Sequence, residues 1–226
     1  DLNNALNGLI FTPNADYNGA DTLNISMALA ADMEGRYTFN DGTANDSSAG
    51  TVQDGTFVGN TTIVTDGTRG EVLSLDGTGG SVQINGLLGE PANVTLAAWV
   101  NLSTADTLGS DVISLGDNVA LRLDYSDGAA NGVTGFIYDG VAWQTVTSGE
   151  FIAGTGWHHV AYVFDDINNT HTIYIDGSAI ASEAITTSIN YGLGSNTVIG
   201  THGNSEPDYA FYGLIDDARI YTRALS

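Results

Sequence analysis

Tyr212-Gly-Leu-Ile-Asp-Asp-Ala-Arg-Ile-Tyr-Thr-Arg-Ala-Leu225 closes the chain with the pattern of one long β-strand. Apolar or small residues alternate with polar ones, the period at which side chains leave opposite faces of a sheet. Regular alternation puts Asp216, Ala218 and Ile220 on one face and Asp217, Arg219 and Tyr221 on the other. A carboxylate sharing a face with Ala218 and Ile220 points inward, where an unpaired charge is costly. A hard cation with oxygen ligands resolves that conflict. So does an ion pair with Arg219 or Arg223, or a turn-capping role.

Short runs of the same kind fill the chain from Gly35 onward, at 36–39, 56–58, 72–75, 81–84, 94–100, 111–115, 120–124, 132–138, 143–146, 157–165, 170–175, 178–184 and 197–200. Asp-Gly, Asn-Gly and Gly-Gly pairs separate many of them, as tight turns between antiparallel strands require. No stretch carries the 3.6-residue period of a long helix. Many short strands without crossover helices predict an all-β fold, an antiparallel two-sheet jelly-roll sandwich.

The first 27 residues stand apart. Leu6-Asn-Gly-Leu-Ile-Phe-Thr-Pro-Asn-Ala-Asp-Tyr-Asn-Gly-Ala-Asp-Thr-Leu-Asn-Ile25 holds two alternating runs about an Asn-Gly-rich turn. Two strands alone bury no core. They form either a hairpin capping the main domain or part of a separate unit, which divides the chain into 1–27 and 28–226.

The composition narrows the partners. Against 27 acidic residues stand five basic ones, all Arg, for a formal charge of −22. Such a surface repels nucleic-acid phosphates and anionic headgroups, and favours cations, neutral glycans or water. Cysteine is absent, which excludes disulfides, thiolate metal sites and cysteine nucleophiles. No run has the length of a transmembrane helix, and no basic-then-apolar leader opens the chain. The stretch reads as a piece of a longer protein.

Six motifs arrive in one order: Gly35-Arg-Tyr-Thr-Phe-Asn-Asp-Gly42, Asn45-Asp-Ser-Ser-Ala-Gly50, Gly70-Glu-Val-Leu-Ser-Leu-Asp-Gly77, Val94-Thr-Leu-Ala-Ala-Trp-Val100, Gly156-Trp-His-His-Val-Ala-Tyr-Val-Phe164 and the closing strand. In that order they resemble the laminin-G-like and pentraxin branch of the concanavalin A-like lectin and glucanase domains. The segment 1–27 resembles the end of a cadherin-like or Ig-like repeat of large bacterial adhesins. The first resemblance implies a structural Ca²⁺ held by Asp216 with the backbone carbonyls of Thr38 and Gly70. Asp41 and Asp46 form a second oxygen-rich loop, open to a calcium role or to side-chain-to-backbone turns.

The loop Gly200-Thr-His-Gly-Asn-Ser-Glu-Pro-Asp-Tyr209 is the leading recognition candidate. It is long for a connection on a rigid sandwich. His202, Asn204, Glu206, Asp208 and Tyr209 could hold sugar hydroxyls directly or through Ca²⁺, and Trp143 offers a second ring. A solvated acidic loop is the plain alternative. Trp99 and Trp157 read as core. His158 and His159 are adjacent on a strand and so face opposite ways, which prevents joint chelation.

Glycosidases of the resembled fold need two carboxylates on one strand face, about 5 Å apart for a retaining mechanism. Only Glu34 with Asp32 and Glu206 with Asp208 have that spacing, one before the opening strand and one around Pro207. The expectation is therefore a non-catalytic, calcium-dependent, glycan-binding module of a secreted bacterial adhesin, monomeric and at the cell surface. A structural or protein-binding spacer is the alternative, ahead of a polysaccharide hydrolase.

Overall fold

A computed structural model describes residues 32–106, 108–126, 131–203 and 209–225. The segment 1–27, with its repeat-like runs, lies outside the described residues.

Among the described residues, fifteen strands follow in chain order. The first eight are β1 (Met33–Tyr37), β2 (Thr56–Val58), β3 (Thr61–Asp66), β4 (Gly70–Asp76), β5 (Ser81–Asn85), β6 (Val94–Leu102), β7 (Ser110–Leu115) and β8 (Val119–Ser126). The rest are β9 (Asn131–Tyr138), β10 (Trp143–Thr147), β11 (His158–Asp165), β12 (Thr170–Ile175), β13 (Ser178–Ala184), β14 (Asn196–Ile199) and β15 (Tyr212–Tyr221). They build two antiparallel sheets, the sandwich expected from the alternation. The first runs β13-β12-β11-β6-β15-β4-β3, with β1 also on β15; the second runs β10-β9-β8-β7-β14-β5-β2.

The closing strand is the hinge of the first sheet. Its early residues pair with β4 (Ile215 opposite Leu73), and its later ones with β1 (Ala218 opposite Tyr37). Its other edge lies along β6 throughout. Strand β3 is an addition to the sequence reading. Its Thr-rich run, Thr61-Thr-Ile-Val-Thr-Asp66, sits at the sheet margin and is largely solvated, so it lacks the apolar content that marks an inner strand.

Side chains from the two inner faces fill one core, including Leu73, Leu96, Val100, Tyr162, Ile215, Ala218 and Ile220 from the first sheet and Ile84, Ile113, Leu121 and Ile137 from the second. Sheet spacing is set locally by Gly135, where a Cβ would lie 2.1 Å from the Tyr162 ring. The absent side chain lets a buried tyrosine of one sheet rest on the backbone of the other.

Candidate functional site

The alternation that builds the core also dictates the outer face of the first sheet. Along β6, Leu96, Ala98, Val100 and Leu102 enter the core, so Thr95, Ala97, Trp99 and Asn101 point away from it. Trp99 is paired across β6 with Asp216 of β15 and His159 of β11, and directly opposed residues share a face. Asp216 therefore looks outward, against the sequence expectation. The cause is a β-bulge between Asp216 and Arg219, with Asp217 at φ 47°. One extra residue in β15 reverses the phase, so Ile215 and Ala218 both face the core although three positions apart.

Asp216 is nonetheless buried, under a guanidinium. Arg69, in the turn before β4, donates from Nε to Asp216 Oδ2 at 2.7 Å. Its Cζ lies 4.2 Å from the Trp99 ring centroid and 5.3 Å from that of Trp157. A planar, weakly hydrated cation suits this position between two indoles. Trp99 and Trp157, expected in the core, instead flank Arg69 and stay partly exposed. Burial raises the Asp216 carboxyl above its usual range, outweighing Arg69.

The three groups expected to bind Ca²⁺ do converge in the chain trace. Thr38 follows β1 and Gly70 opens β4, and these strands meet where β15 passes from one to the other beside Asp216. The countercharge for Asp216 is already supplied by Arg69, however, so the physical reason for a cation there is met by the chain itself. The second oxygen-rich loop is engaged in turns. Asp46 accepts from the backbone N–H of Arg36, Ser48 and Gln53 and from Ser48 Oγ. Asp41 accepts from Thr43 N, Thr43 Oγ1 and Asn45 Nδ2. Among the described residues, no three His, Asp or Glu side chains group as a metal site.

Beside the Arg69 cluster, the same outer face carries a groove of about 270 Å³. Thr95, Ala97, Ala161 and Val163 of β6 and β11 line it, together with Tyr174, Gly177, Tyr221, Leu225, His159 and Arg219. The small outward residues of the two central strands leave the space. Arg219 Nε donates to Asp217 Oδ1 at 3.0 Å, with a second bond from Nη2 to Oδ2, and Arg36 donates to the same Oδ1 at 3.0 Å. His159 has its pKa lowered by burial first and then by Arg219. Its neutral imidazole offers one donor and one acceptor nitrogen. Aromatic rings, a small apolar floor and a few polar groups make a surface suited to a small polar ligand with an apolar face.

The long loop of the sequence reading has a different character. His202 is buried: Nδ1 lies 2.6 Å from Asp111 Oδ2, and Nε2 pairs with Asp117. Asp111 also accepts from Arg122 Nε at 2.5 Å, and Arg122 packs 3.6 Å from the Tyr209 ring centroid. Two sequence-predicted ligand residues thus have other partners: His202 belongs to a buried ion network with Asp111 and Asp117, and the Tyr209 ring covers Arg122. Asp111 is held below the usual carboxylate range, burial being overcome by Arg122 and His202. His202 is raised, burial being overcome by Asp111 and Asp117. Asn204, Glu206 and Asp208 lie outside the described residues. Trp143 is 44% exposed on β10, its ring 5.0 Å from that of Tyr138 and far in the topology from the groove, in the other sheet.

The groove escaped the sequence reading because its residues are individually ordinary. The signal that was present is the run of small outward positions in Thr95-Leu-Ala97 and Ala161-Tyr-Val163, between aromatic neighbours.

Residues 76–226 match the concanavalin A-like lectin/glucanases superfamily, and the chain belongs to this family. No curated protein sequence matches it. Among solved structures it is similar to domain 4 of AbnA, a GH43 extracellular arabinanase from Geobacillus stearothermophilus, in complex with arabinotriose. That match has 21% identity and a TM-score of 0.69, and covers 87% of this chain and 95% of that one. It is also similar to the binding domain of Paraclostridial Mosquitocidal Protein 1 (15% identity, TM-score 0.66, 86% of this chain and 50% of that one). A third is the binding domain of botulinum neurotoxin DC in complex with SialylT (13% identity, TM-score 0.63, 86% and 49%). The chain spans about half of each toxin binding domain. At these identities the likeness concerns the fold.

Proposed function

We propose that this domain is a non-catalytic carbohydrate-binding module whose glycan lies in the outer-face groove of the first sheet. The observation that carries the reading is the groove itself: two tyrosines, a neutral histidine and an arginine around a floor of Ala and Thr side chains. A sugar ring stacks its C–H face on an aromatic ring while its hydroxyls find the polar groups. Family membership and the arabinotriose and SialylT complexes of similar domains support the ligand class.

The carboxylates nearest the groove support binding rather than hydrolysis. Asp216 and Asp217 are each tied to an arginine. A general acid needs a proton to give and a nucleophile needs a free oxygen. The setting is extracellular, at a bacterial surface, where an acidic module within an adhesin gains strength by multivalency. Single-site affinity is ~10⁻⁴–10⁻³ M, about 4–5.5 kcal/mol.

The test is a glycan array followed by calorimetry with the full chain and with Tyr174→Ala. Saturable binding weakened about tenfold by the substitution supports the groove. Silence across a broad array favours a structural spacer.

A further inference from the structure

The five arginines of this chain are unevenly placed. Arg36, Arg69 and Arg219 stand on the outer face of the first sheet, and Arg223 lies at its margin, its carbonyl bonded to Thr95 Oγ1. Only Arg122 belongs to the second sheet. The face thus gathers three guanidiniums against Asp216 and Asp217, on a protein of net charge −22. Arg223 is neutralised by Asp32. At the groove's end, Asp176 has one oxygen on His159 N and the other on His158 Nδ1. Among the described residues, no acidic side chain lines the groove itself.

Arg219 is not fully used. One edge of its fork, Nε and Nη2, grips Asp217, and its side chain keeps 35% exposure. Asp217 takes two of its five N–H donors and the Tyr221 hydroxyl a further one, and the remaining N–H groups belong to a side chain that lines the groove. A planar carboxylate fits those N–H groups as a paired acceptor, better than a hydroxyl, which accepts fewer and weaker bonds.

We propose that the groove selects sugars that carry a carboxylate, the acid meeting Arg219 while the ring packs on Tyr174 and Tyr221. This rests on the groove being the glycan site. The far field of the protein opposes any anion, but its reach is about 8 Å at physiological ionic strength. Selection is therefore made at contact, by Arg219, and not by steering.

The experiment uses the full chain on an array of carboxylated, sulfated and neutral oligosaccharides. Calorimetry then compares the best acidic hit with its carboxyl-reduced derivative. The expected result is that carboxylated members dominate and that reduction of the acid weakens binding about tenfold. Arg219→Gln should bring the acid and its reduced form to within about twofold of each other. Because Arg219 also anchors Asp217, Ala161→Leu provides a second probe: it fills the floor without touching the arginine, and acid binding should be lost. Equal binding of the reduced sugar, or hits confined to sulfated members, overturns the selectivity while leaving the groove reading intact. Undiminished acid binding by Ala161→Leu, or no binding by any member, overturns both.

Discussion

Arg69 and Asp216, 147 positions apart in sequence, meet at 2.7 Å on the outer face of the first sheet, with the guanidinium between Trp99 and Trp157. This contact joins the turn before β4 to the bulge of β15 and gives Asp216 a countercharge within the chain. Asp216→Ala leaves a half-buried guanidinium without its acid, a loss of about 2 kcal/mol. The double variant with Arg69→Ala should lose less than the two single losses added. EGTA should leave Tm within about 1 °C of the untreated protein. A fall beyond about 4 °C that Ca²⁺ restores would correspond to at least 1 kcal/mol of metal stabilisation and would reinstate the calcium clamp.

Asp46 and Asp41 separate a structural turn from an exposed one. Asp46 is buried and satisfies three backbone N–H groups from β1 and the following loop. Asp46→Ala orphans them, for about 2–3 kcal/mol in urea unfolding. Asp41 bonds locally within an exposed turn, and Asp41→Ala should leave the urea midpoint close to that of the parent. Equal costs for the two would deny Asp46 its clamping role.

The Asp111–His202–Asp117 network gives stability a defined pH dependence. His202 is raised from its ordinary 6.5 by Asp111 and Asp117, against the effect of burial. A raised folded value gives a contribution that is complete below pH 6.5 and lost as pH rises through the folded pKa. Asp111 is lowered from 3.8, so its contribution is present above that value and lost as pH falls through the folded pKa. Urea unfolding from about pH 3 to about pH 9 should show the parent ahead of His202→Gln on the acid side, with the gap closing on the alkaline side. A gap that widens with pH would reverse the assigned sign.

Much of the architecture was legible from the period-two pattern because the core is made by it: the strands at 56–58, 170–175 and 178–184 have the expected bounds. The bulge was not legible. Asp217 takes a left-handed backbone without a glycine to announce it, and that single residue turned an inward acid into an outward one. Arg69 was equally hidden, since a partner 147 positions away leaves no local signal. His202 and Tyr209 were visible as polar and aromatic loop residues. Their partners, Asp111 and Arg122, are carried by β7 and β8, and the local sequence around His202 and Tyr209 does not disclose contacts about 90 positions away.

The central claim is that the glycan lies on the outer face of the first sheet. Backbone and side-chain NMR of the full chain during titration with the strongest array hit tests it directly. The account predicts shifts that saturate together at Ala97, His159, Ala161, Tyr174 and Arg219, with His202, Tyr209 and Trp143 unmoved. Saturating shifts centred on His202 and Tyr209, or on Trp143, with the groove silent, would contradict it.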